Sequence, residues 1–307
     1  MAVTGATGLV GRALLPALVA RGHRVVGLTR GAPRPPSAGT RWATYDPLDA
    51  STIAAALEGA DAVVHLAGEN LFAARWRAAF LARIRESRVD ATRALVEAIG
   101  RLSRRPSVLV SASAIGWYGP RPPEEALEEG AAPGDDFLAR VCRDWEAEAQ
   151  RAEAHGLRVA TGRNGVVLAR GGGALAQMLR PFRWFVGGPI GRGTQVMSWV
   201  HLDDVRGLFV RAVEDASWRG PFNVVSPNPV SNREFATALG RAIHRPSFLP
   251  TPAFALRVLL GRVAEVVASG QRVVPAVARA RGYEFRFPRL EAALADLLAE
   301  AEPAARA

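Results

Sequence analysis

Three glycines near the start of the chain, Gly5, Gly8 and Gly11, are spaced three residues apart in the stretch TGATGLVG. A turn of this kind between a strand and a helix lets backbone N–H groups and the helix N-terminus contact a pyrophosphate. The stretch follows a short apolar run, Ala2–Thr4, and opens a helical pattern, which is the context that the motif requires. The spacing therefore predicts a dinucleotide site, and the alternative is a glycine turn without a ligand.

The second apolar run ends in Thr29 and Arg30, at the position where dinucleotide sites read the adenosine ribose. An acidic residue there binds the ribose 2′-hydroxyl of NAD, whereas an arginine accommodates the 2′-phosphate of NADP. This chain has no acid at that position, and the guanidinium of Arg30 can hold a phosphate through two charge-assisted hydrogen bonds. We predict NADP(H) as the cofactor, with NAD(H) less favoured; the alternative for Arg30 is a solvated loop arginine.

Residues 108–119, VLVSASAIGWYG, form an apolar run that stops at serines and leads into a Trp-Tyr-Gly turn. In parallel sheets, ligands lie beyond the carboxyl ends of the strands, so hydroxyls placed there can reach a substrate. We predict that Ser113, with Ser111 as the fallback, and Tyr118 point into the cleft. Tyr118 would then orient the substrate or supply a proton, with a phenol pKa near about 10. The alternative is a purely structural strand end, with Tyr118 packing and its hydroxyl in water.

The chain has 307 residues, 49% of them hydrophobic, and a formal net charge of +10. Every basic side chain counted in that charge is arginine, because lysine is absent from the sequence. The arginines are scattered and no nucleic-acid-binding motif accompanies them, so no nucleic-acid partner is predicted. The lone cysteine, Cys142, excludes an intramolecular disulfide and is interpreted as a small core residue.

The sequence gives no indication of a membrane partner or of a metal site. Its most apolar late stretch, residues 252–268, is interrupted by Arg257, Arg262 and Glu265, and no secretory signal is recognisable. A cytoplasmic protein is therefore expected. His201 lies close to Asp203 and Asp204, but a single histidine with two acids is weak evidence for a metal, and the acids equally suit a helix N-terminus.

Short apolar runs alternate with helical patterns through the first half of the chain. This alternation predicts an α/β fold with a Rossmann-type, doubly wound parallel sheet and a smaller, mainly helical C-terminal lobe. The predicted strands are Ala2–Thr4, Arg24–Thr29, Trp42–Tyr45, Ala62–Leu66, Val108–Ser111 and Leu157–Thr161. The predicted helices include Ser51–Leu57, Arg77–Leu102 and Asp136–His155.

After Arg163 the sequence becomes rich in glycine and then in prolines that separate short helices. We therefore predict a nucleotide-binding core over residues 1–165, to which residues 196–226 return. Residues 166–195 and 227–307 would form the substrate lobe, including a small C-terminal domain at about 246–303. No motif specifies the small-molecule substrate or the oligomeric state.

Taken together, these motifs resemble the extended short-chain dehydrogenase/reductase superfamily, and within it the atypical epimerase-like branch of NAD(P)-binding proteins. The matching stretches span nearly the whole chain. They are TGATGLVG, GLTR, VVHLAGEN, ESRVDATRALVEAI, VSASAIGWYG, DFLARVCRDWEAEA, RNGVVLARGGG and GGPIGRGTQVMSWVHLDDV. The tail, with GQRVVP and GYEFRFPRLEAAL, is similar to the small C-terminal domain of that branch.

The resemblance implies further cofactor contacts. They are Thr7, Leu9 and Val10 in the glycine loop, Leu66, Ala67 and Gly68 after the fourth strand, Arg88 on the long helix, and Val167. Each also has a structural alternative, since Leu66 and Val167 suit the core and Arg88 suits a solvated helix surface.

The chain departs from the superfamily at its reactive centre. Ordinary members carry a Tyr-x-x-x-Lys pair on the helix after the fifth strand, whose lysine lowers the pKa of the tyrosine. Here Phe137 or Leu138 stands near the tyrosine position and Cys142 near the lysine position. Two functions therefore remain open. One is an NADP(H)-dependent oxidoreductase or epimerase-like enzyme for a small carbonyl or sugar-like substrate. The other is an NADP(H)-binding regulatory or interaction protein without turnover.

Overall fold

The computed structural model describes residues 1–32, 34–37, 39–250 and 269–299. The apolar stretch 252–268 lies outside the described residues, as do parts of the expected C-terminal domain at about 246–303. Within the described ranges, no helix is both long and apolar enough to cross a membrane.

The described strands are β1 (Ala2–Thr4), β2 (Val25–Thr29), β3 (Thr40–Thr44), β4 (Ala62–His65), β5 (Val108–Ala114), β6 (Ala126–Leu127), β7 (Arg158–Asn164), β8 (Val166–Ala169), β9 (Val196–Met197), β10 (Trp199–His201), β11 (Gly220–Val224), β12 (Val230–Ser231) and β13 (Arg272–Val273). Seven of them form the central, fully parallel sheet, in the order β11-β7-β5-β4-β1-β2-β3. The sheet order reverses between β1 and β4, which is the switch point where doubly wound folds bind nucleotides.

Helices cover both faces of the sheet. They are α1 (Leu9–Ala20), α2 (Ala50–Leu57), α3 (Ala78–Arg85), α4 (Ala91–Arg101), α5 (Phe137–Gln150), α6 (Gly173–Arg183), α7 (Leu202–Glu214), α8 (Asn232–Ala242), α9 (Ala276–Ala280) and α10 (Leu290–Leu298). Helices α1 and α7 pack together, and α2, α4 and α5 pack in a row. Separate apolar clusters form under these two sets of helices. The predicted Rossmann-type α/β fold is confirmed.

The later segments add short strand pairs and a third apolar cluster. Strand β8 pairs with β10, β9 with β12, and β6 with β13. Helices α6, α8 and α10 enclose the third cluster, which contains Leu175, Phe235 and Leu294. The predicted lobe boundaries stay a prediction. The edge strand of the large sheet, β11, comes from residues 220–224, inside the segment 196–226 that is predicted to return to the core.

Two predicted elements differ from the structure. The long helix predicted over Arg77–Leu102 is divided by a π-helical turn, Glu86–Asp90, between α3 and α4. Such a turn is not visible in apolar spacing, and it often marks a functional position. Strand β5 continues to Ala114 rather than ending at Ser111, because residues 111–114 pair with β7. Ser113 therefore belongs to the strand itself.

Asp204, near the start of α7, connects the sheet domain to the C-terminal segment. Its buried carboxylate accepts hydrogen bonds from the backbone N–H groups of Arg286 (2.8 Å) and Phe287 (3.0 Å) and from the hydroxyl of Tyr283 (3.3 Å). Burial raises the pKa of the Asp204 carboxyl, and these hydrogen bonds oppose the rise. A charged side chain of α7 thus organises a turn much further along the chain.

Candidate functional site

The glycine loop folds tightly against the end of β4. Gly5 has a φ of +64°, and a Cβ atom there would lie 2.7 Å from the carbonyl of Leu66. The Gly8 N–H donates to the carbonyl oxygen of Gly5 (2.9 Å), and a Cβ on Gly11 would collide with that same oxygen. Helix α1 begins at Leu9 with no acidic residue in its first turn. The loop fits a pyrophosphate, because side chains are excluded and a helix N-terminus faces outward.

The other loop residues predicted to contact the cofactor lie on its outer side. Gly8 and Leu9 are exposed, and Thr7 and Val10 are half-buried. The Leu9 side chain lies against the backbone of Gly173, where α6 begins. The structure thus brings the glycine loop and the later lobe together at one edge of the sheet.

A buried hydrogen-bond relay supports the loop after β4. Thr4 Oγ1 accepts from the N–H groups of Leu66 (3.2 Å) and Ala67 (3.3 Å) and lies 2.7 Å from Nδ1 of His65. His65 Nε2 lies 3.0 Å from Thr92 Oγ1. Burial lowers the pKa of His65 to about 4, so the ring is neutral at physiological pH. The relay fixes Leu66 and Ala67, two of the predicted cofactor contacts.

Arg88 projects from the π-helical turn toward the same loop. Its Nη2 donates to the carbonyl oxygen of Glu69 (2.9 Å), and its guanidinium lies over the ring of Trp145. A Cβ on Gly68 would lie 3.4 Å from the guanidinium carbon of Arg88. Burial lowers the pKa of Arg88, yet an arginine keeps its charge in proteins. A permanent cation therefore stands beside the predicted cofactor loop.

Thr29 and Arg30 end β2 at the same edge of the sheet as the glycine loop. Arg30 is exposed, and Thr29 Oγ1 accepts from the N–H of Gly31 (3.3 Å). Tyr45, which follows β3, is buried close to Thr4 and Gly5, and burial raises its pKa while the charge of Arg30 opposes this rise. Arg30 is thus placed at the end of the strand that follows the glycine loop, as the sequence predicts.

Ser113 is almost fully buried, and its hydroxyl is already committed. It donates to Glu146 Oε1 at 2.6 Å. That carboxylate also accepts two hydrogen bonds from Arg163, from Nε and Nη2, both at 2.9 Å. The Arg163 side chain is 2% exposed and that of Glu146 is 11% exposed. Ser113 therefore belongs to a buried ion-pair network, and it has no second proton with which to polarise a substrate carbonyl.

The expectation that Tyr118 points into the cleft is wrong, and its hydroxyl is not in water as the structural alternative supposed. Tyr118 has no exposed surface, because its short 3₁₀ turn lies beneath later segments of the chain. Its hydroxyl donates to Asn223 Oδ1 (2.7 Å) and accepts from Arg163 Nη1 (3.1 Å). The expected ordinary pKa is also wrong, since burial raises the pKa of the phenol despite the opposing charge of Arg163. A catalytic role for Tyr118 or Ser113 stays a prediction.

Helix α5 presents Leu138 and Cys142 toward the exit of β5. A Cβ on Gly116 would lie 3.3 Å from Leu138 Cβ and 3.6 Å from Cys142 Sγ. Cys142 is buried, and its burial, helped by the negative charge of Glu146, raises the pKa of the thiol to about 12. The helix thus places a hydrocarbon and a neutral thiol at the positions that the resemblance gives to the tyrosine and the lysine.

Val167 and His201 occupy neighbouring strands. Val167 in β8 is half-buried and pairs with Val200 of β10. His201 is the N-cap of α7, where its Nδ1 accepts from the N–H of Asp203 (3.0 Å). Among the described residues, no group of three or more His, Cys, Asp or Glu side chains is arranged to hold a metal ion.

Sequence reasoning missed several residues that shape the site. They are Thr4, Thr92, Arg163 and the role of Glu146. Thr4 and Thr92 carried a weak signal, since both lie within stretches that resemble the superfamily. Arg163 and Glu146 also lie within such stretches, but nothing in the sequence pairs them, because they are 17 residues apart and isolated arginines are common in this chain.

The sheet order, the glycine cradle and the neighbouring charged residues define a dinucleotide-binding protein of the Rossmann type. The sequence profile of the NAD dependent epimerase/dehydratase family matches residues 1–244. The chain belongs to this family. Residues 251–297 match a second profile, a domain of unknown function (DUF1731).

Relatives from plants, animals and bacteria align along almost the whole chain. The epimerase family protein SDR39U1 homolog of Arabidopsis thaliana, described as chloroplastic, is 40% identical over 96% of this chain and 85% of its own length. The epimerase family protein YfhF of Bacillus subtilis is 36% identical over 98% of both chains. Because one relative is described as chloroplastic, the expected cytoplasmic location stays a prediction.

Solved structures agree with the fold. The human epimerase family protein SDR39U1 (isoform 2), crystallised with NADPH, has a TM-score of 0.87 at 36% identity and covers 97% of this chain and 98% of its own. A nucleoside-diphosphate sugar epimerase from Corynebacterium glutamicum has a TM-score of 0.77 at 37% identity, covering 97% of this chain and 57% of its own. The UDP-glucose 4-epimerase of Thermus thermophilus, at 20% identity, shares the fold.

Proposed function

We propose that this protein is an NADP(H)-binding oxidoreductase of the epimerase family, acting on a small carbonyl or sugar-like molecule. The observation that carries the proposal is the glycine cradle, in which a Cβ on Gly5 would lie 2.7 Å from the carbonyl of Leu66. The human relative crystallised with NADPH supports the choice of cofactor. Gly5, Gly8 and Gly11 would hold the pyrophosphate, and Arg30 would contact the 2′-phosphate.

Further predicted residues have places in this proposal. Leu66, Ala67 and Gly68 would contact the ribose of the cofactor, held there by the relay through His65. Arg88 would contact the cofactor from the π-helical turn, and Val167 would form part of the apolar wall. NADPH, when bound, supplies a hydride, while the protein binds and orients the reactants.

The test is a calorimetric titration with NADPH. Gly8→Ala places a methyl group 3.1 Å from the Gly5 carbonyl oxygen, so that the loop is filled while the neighbouring backbone has to shift by only a few tenths of an ångström. Gly130→Ala is the matched control, because its Cβ would have no atom within 4 Å. We expect the first variant to lose NADPH affinity and the second to keep it. Unchanged affinity in Gly8→Ala would remove the support for the proposed site.

A second candidate function is NADP(H) binding without turnover, as a redox-responsive regulator. The observation that favours it is the pair Leu138 and Cys142, since neither side chain exchanges a proton near neutral pH. Substrate-dependent oxidation of NADPH supports the enzyme. A partner protein that binds only one oxidation state of the cofactor supports the regulator.

A further inference from the structure

Near the end of β5, the hydroxyl groups that could give a proton to a reduced substrate already donate hydrogen bonds to other side chains. The Tyr118 hydroxyl donates to Asn223, and the Ser113 hydroxyl donates to Glu146. Cys142 is buried beside Ser113, and its thiol stays protonated at neutral pH. None of these three groups is positioned to protonate an alkoxide.

The described titratable groups on the glycine-loop side are equally unsuited, and the Glu69 carboxylate there is paired with Arg83 (3.1 Å). His65 is neutral at pH 7, and its Nε2–H is used by Thr92. Tyr45 is buried against Thr4, and burial raises its pKa. Arg88 donates hydrogen bonds but does not release a proton in proteins.

Reduction of a simple ketone by hydride produces an alkoxide, which needs a proton from a positioned acid. Hydride reduction of a quinone produces instead the monoanion of a hydroquinone, a phenolate. Phenols have a reference pKa of about 10, so a phenolate leaves the site without prior protonation. A site in which the described residues offer no proton donor therefore discriminates between these two kinds of acceptor.

From these contacts we propose that the acceptor reduced at this site is a quinone. The inference rests on the proposed NADP(H)-dependent oxidoreductase and names its substrate class. One hydride, carrying two electrons, is transferred from NADPH to the quinone, so that NADP⁺ and a hydroquinone monoanion form. The single proton that completes the hydroquinone comes from water after the monoanion leaves.

The charge next to the site agrees with an acceptor that becomes an anion. Arg88 lies beside Gly68 and over the ring of Trp145. A fixed cation stabilises a developing phenolate, whereas it repels a cationic acceptor such as an iminium ion. The Leu138 side chain beside the exit of β5 is hydrocarbon, which suits contact with a flat apolar ring.

The first experiment compares menadione with cyclohexanone as acceptors for the wild-type protein. Binding of each compound to the NADP⁺-saturated protein is measured by equilibrium dialysis, and NADPH oxidation is followed at pH 7. We expect menadione to bind and to oxidise NADPH, and cyclohexanone to be left unreduced. Reduction of cyclohexanone at a comparable rate would overturn the proposal, and so would a lack of menadione binding.

NADPH binding and quinone reduction are measured separately. If calorimetry shows no NADPH binding, the proposed function itself fails. If NADPH binds but menadione neither binds nor oxidises it, only the quinone inference fails.

A second experiment restores the missing proton donor with Leu138→Tyr/Cys142→Lys. A positioned general acid contributes about 100-fold or more, so we expect cyclohexanone reduction to rise by at least this factor. The matched control, Arg140→Tyr/Asp144→Lys, places the same side chains on the outward side of α5, where Arg140 is exposed and Asp144 is 39% exposed. A thermal melt checks that both variants fold. If the first variant is unfolded, cyclohexanone reduction by Leu138→Tyr alone and the comparison of the two acceptors with the wild type still test the inference. An equal gain in the control would contradict the inference.

Discussion

Thr92 is an obligate acceptor for His65. The single hydroxyl proton of Thr92 is donated to the carbonyl oxygen of Arg88 at 2.5 Å, so Thr92 Oγ1 can only accept from His65 Nε2 at 3.0 Å. His65 is consequently the Nε2–H tautomer, and its Nδ1 accepts from Thr4. One chain of directed hydrogen bonds thus joins β1, β4 and the π-helical turn beneath the loop that follows β4.

The neutral His65 predicts a loss of stability in acid. Its pKa falls from 6.5 to about 4 on folding, so the unfolded chain binds a proton that the folded chain does not bind between these values. The stabilisation is complete above pH 6.5 and is lost as the pH falls toward 4. Between pH 7 and 4.5 we expect this residue to cost about 2–3 kcal/mol.

Urea unfolding of the wild type and of His65→Gln at both pH values measures that contribution as a difference. The glutamine variant is expected to lack it, while other titrating groups affect both proteins alike. Identical pH dependence in the two proteins would contradict the assignment.

We expect Arg163 and Glu146 to be strongly coupled in their contributions to the free energy of unfolding. Arg163→Met leaves a nearly buried carboxylate without its cation, and such a change costs about 3–5 kcal/mol. Arg163→Met/Glu146→Gln is expected to recover part of that loss, because the unpaired charge is then gone. A double-mutant cycle by chemical denaturation gives the coupling energy. A loss below about 1 kcal/mol for Arg163→Met would show that the pair is solvated.

We predict that Arg30 causes a preference for NADPH over NADH. Arg30→Ala removes a charged partner of the 2′-phosphate, worth about 1.5–3 kcal/mol, so NADPH binding should weaken by about tenfold or more. NADH binding should stay nearly unchanged. Arg104→Ala, an exposed arginine just before β5, serves as the control. Calorimetric titrations that show equal losses for both cofactors would mean that Arg30 does not contact the phosphate.

Tyr118→Phe tests the buried hydroxyl at the end of β5. The variant leaves Asn223 Oδ1 without its donor, so we expect the free energy of unfolding to fall by about 1–3 kcal/mol. The dissociation constant for NADPH should be unchanged. Once an acceptor is identified, Tyr118→Phe and Ser113→Ala can be compared by kcat. Wild-type turnover in both would show that this strand end is only structural.

We expect that replacing Phe185 with glycine stabilises the protein. It follows α6 with a φ of +62° and is 55% exposed, so its backbone is strained while its side chain gains little from burial. The left-handed conformation costs about 1–2 kcal/mol for a residue with a Cβ, and glycine loses about 0.5–1 kcal/mol of this gain through chain entropy. We expect Phe185→Gly to raise the melting temperature slightly. A lower melting temperature would mean that the phenyl ring is held by its contact with Arg245.

The features that the sequence predicts correctly are local ones. The glycine loop follows from the backbone that Gly5 must adopt, and the sheet follows from apolar runs that alternate with helices. The burial of Tyr118 was not predictable, because its acceptor, Asn223, lies 105 residues away in the sequence. The commitment of the Ser113 hydroxyl likewise depends on helix packing that brings Glu146 to the strand. Spacing reveals which residue types are present, but it does not reveal which donors are already used.

The three hydrogen bonds to the Asp204 carboxylate have a consequence for shortened versions of the protein. A shortened chain that stops where the first family profile ends, at residue 244, lacks Tyr283, Arg286 and Phe287 together. The remaining piece then uncovers the Asp204 carboxylate and the apolar side chains that pack against Leu290 and Leu294, and it loses the stabilisation that their burial supplies. The C-terminal segment is therefore part of the packed structure, and we expect a version of this protein shortened at residue 244 to be less stable than the whole chain.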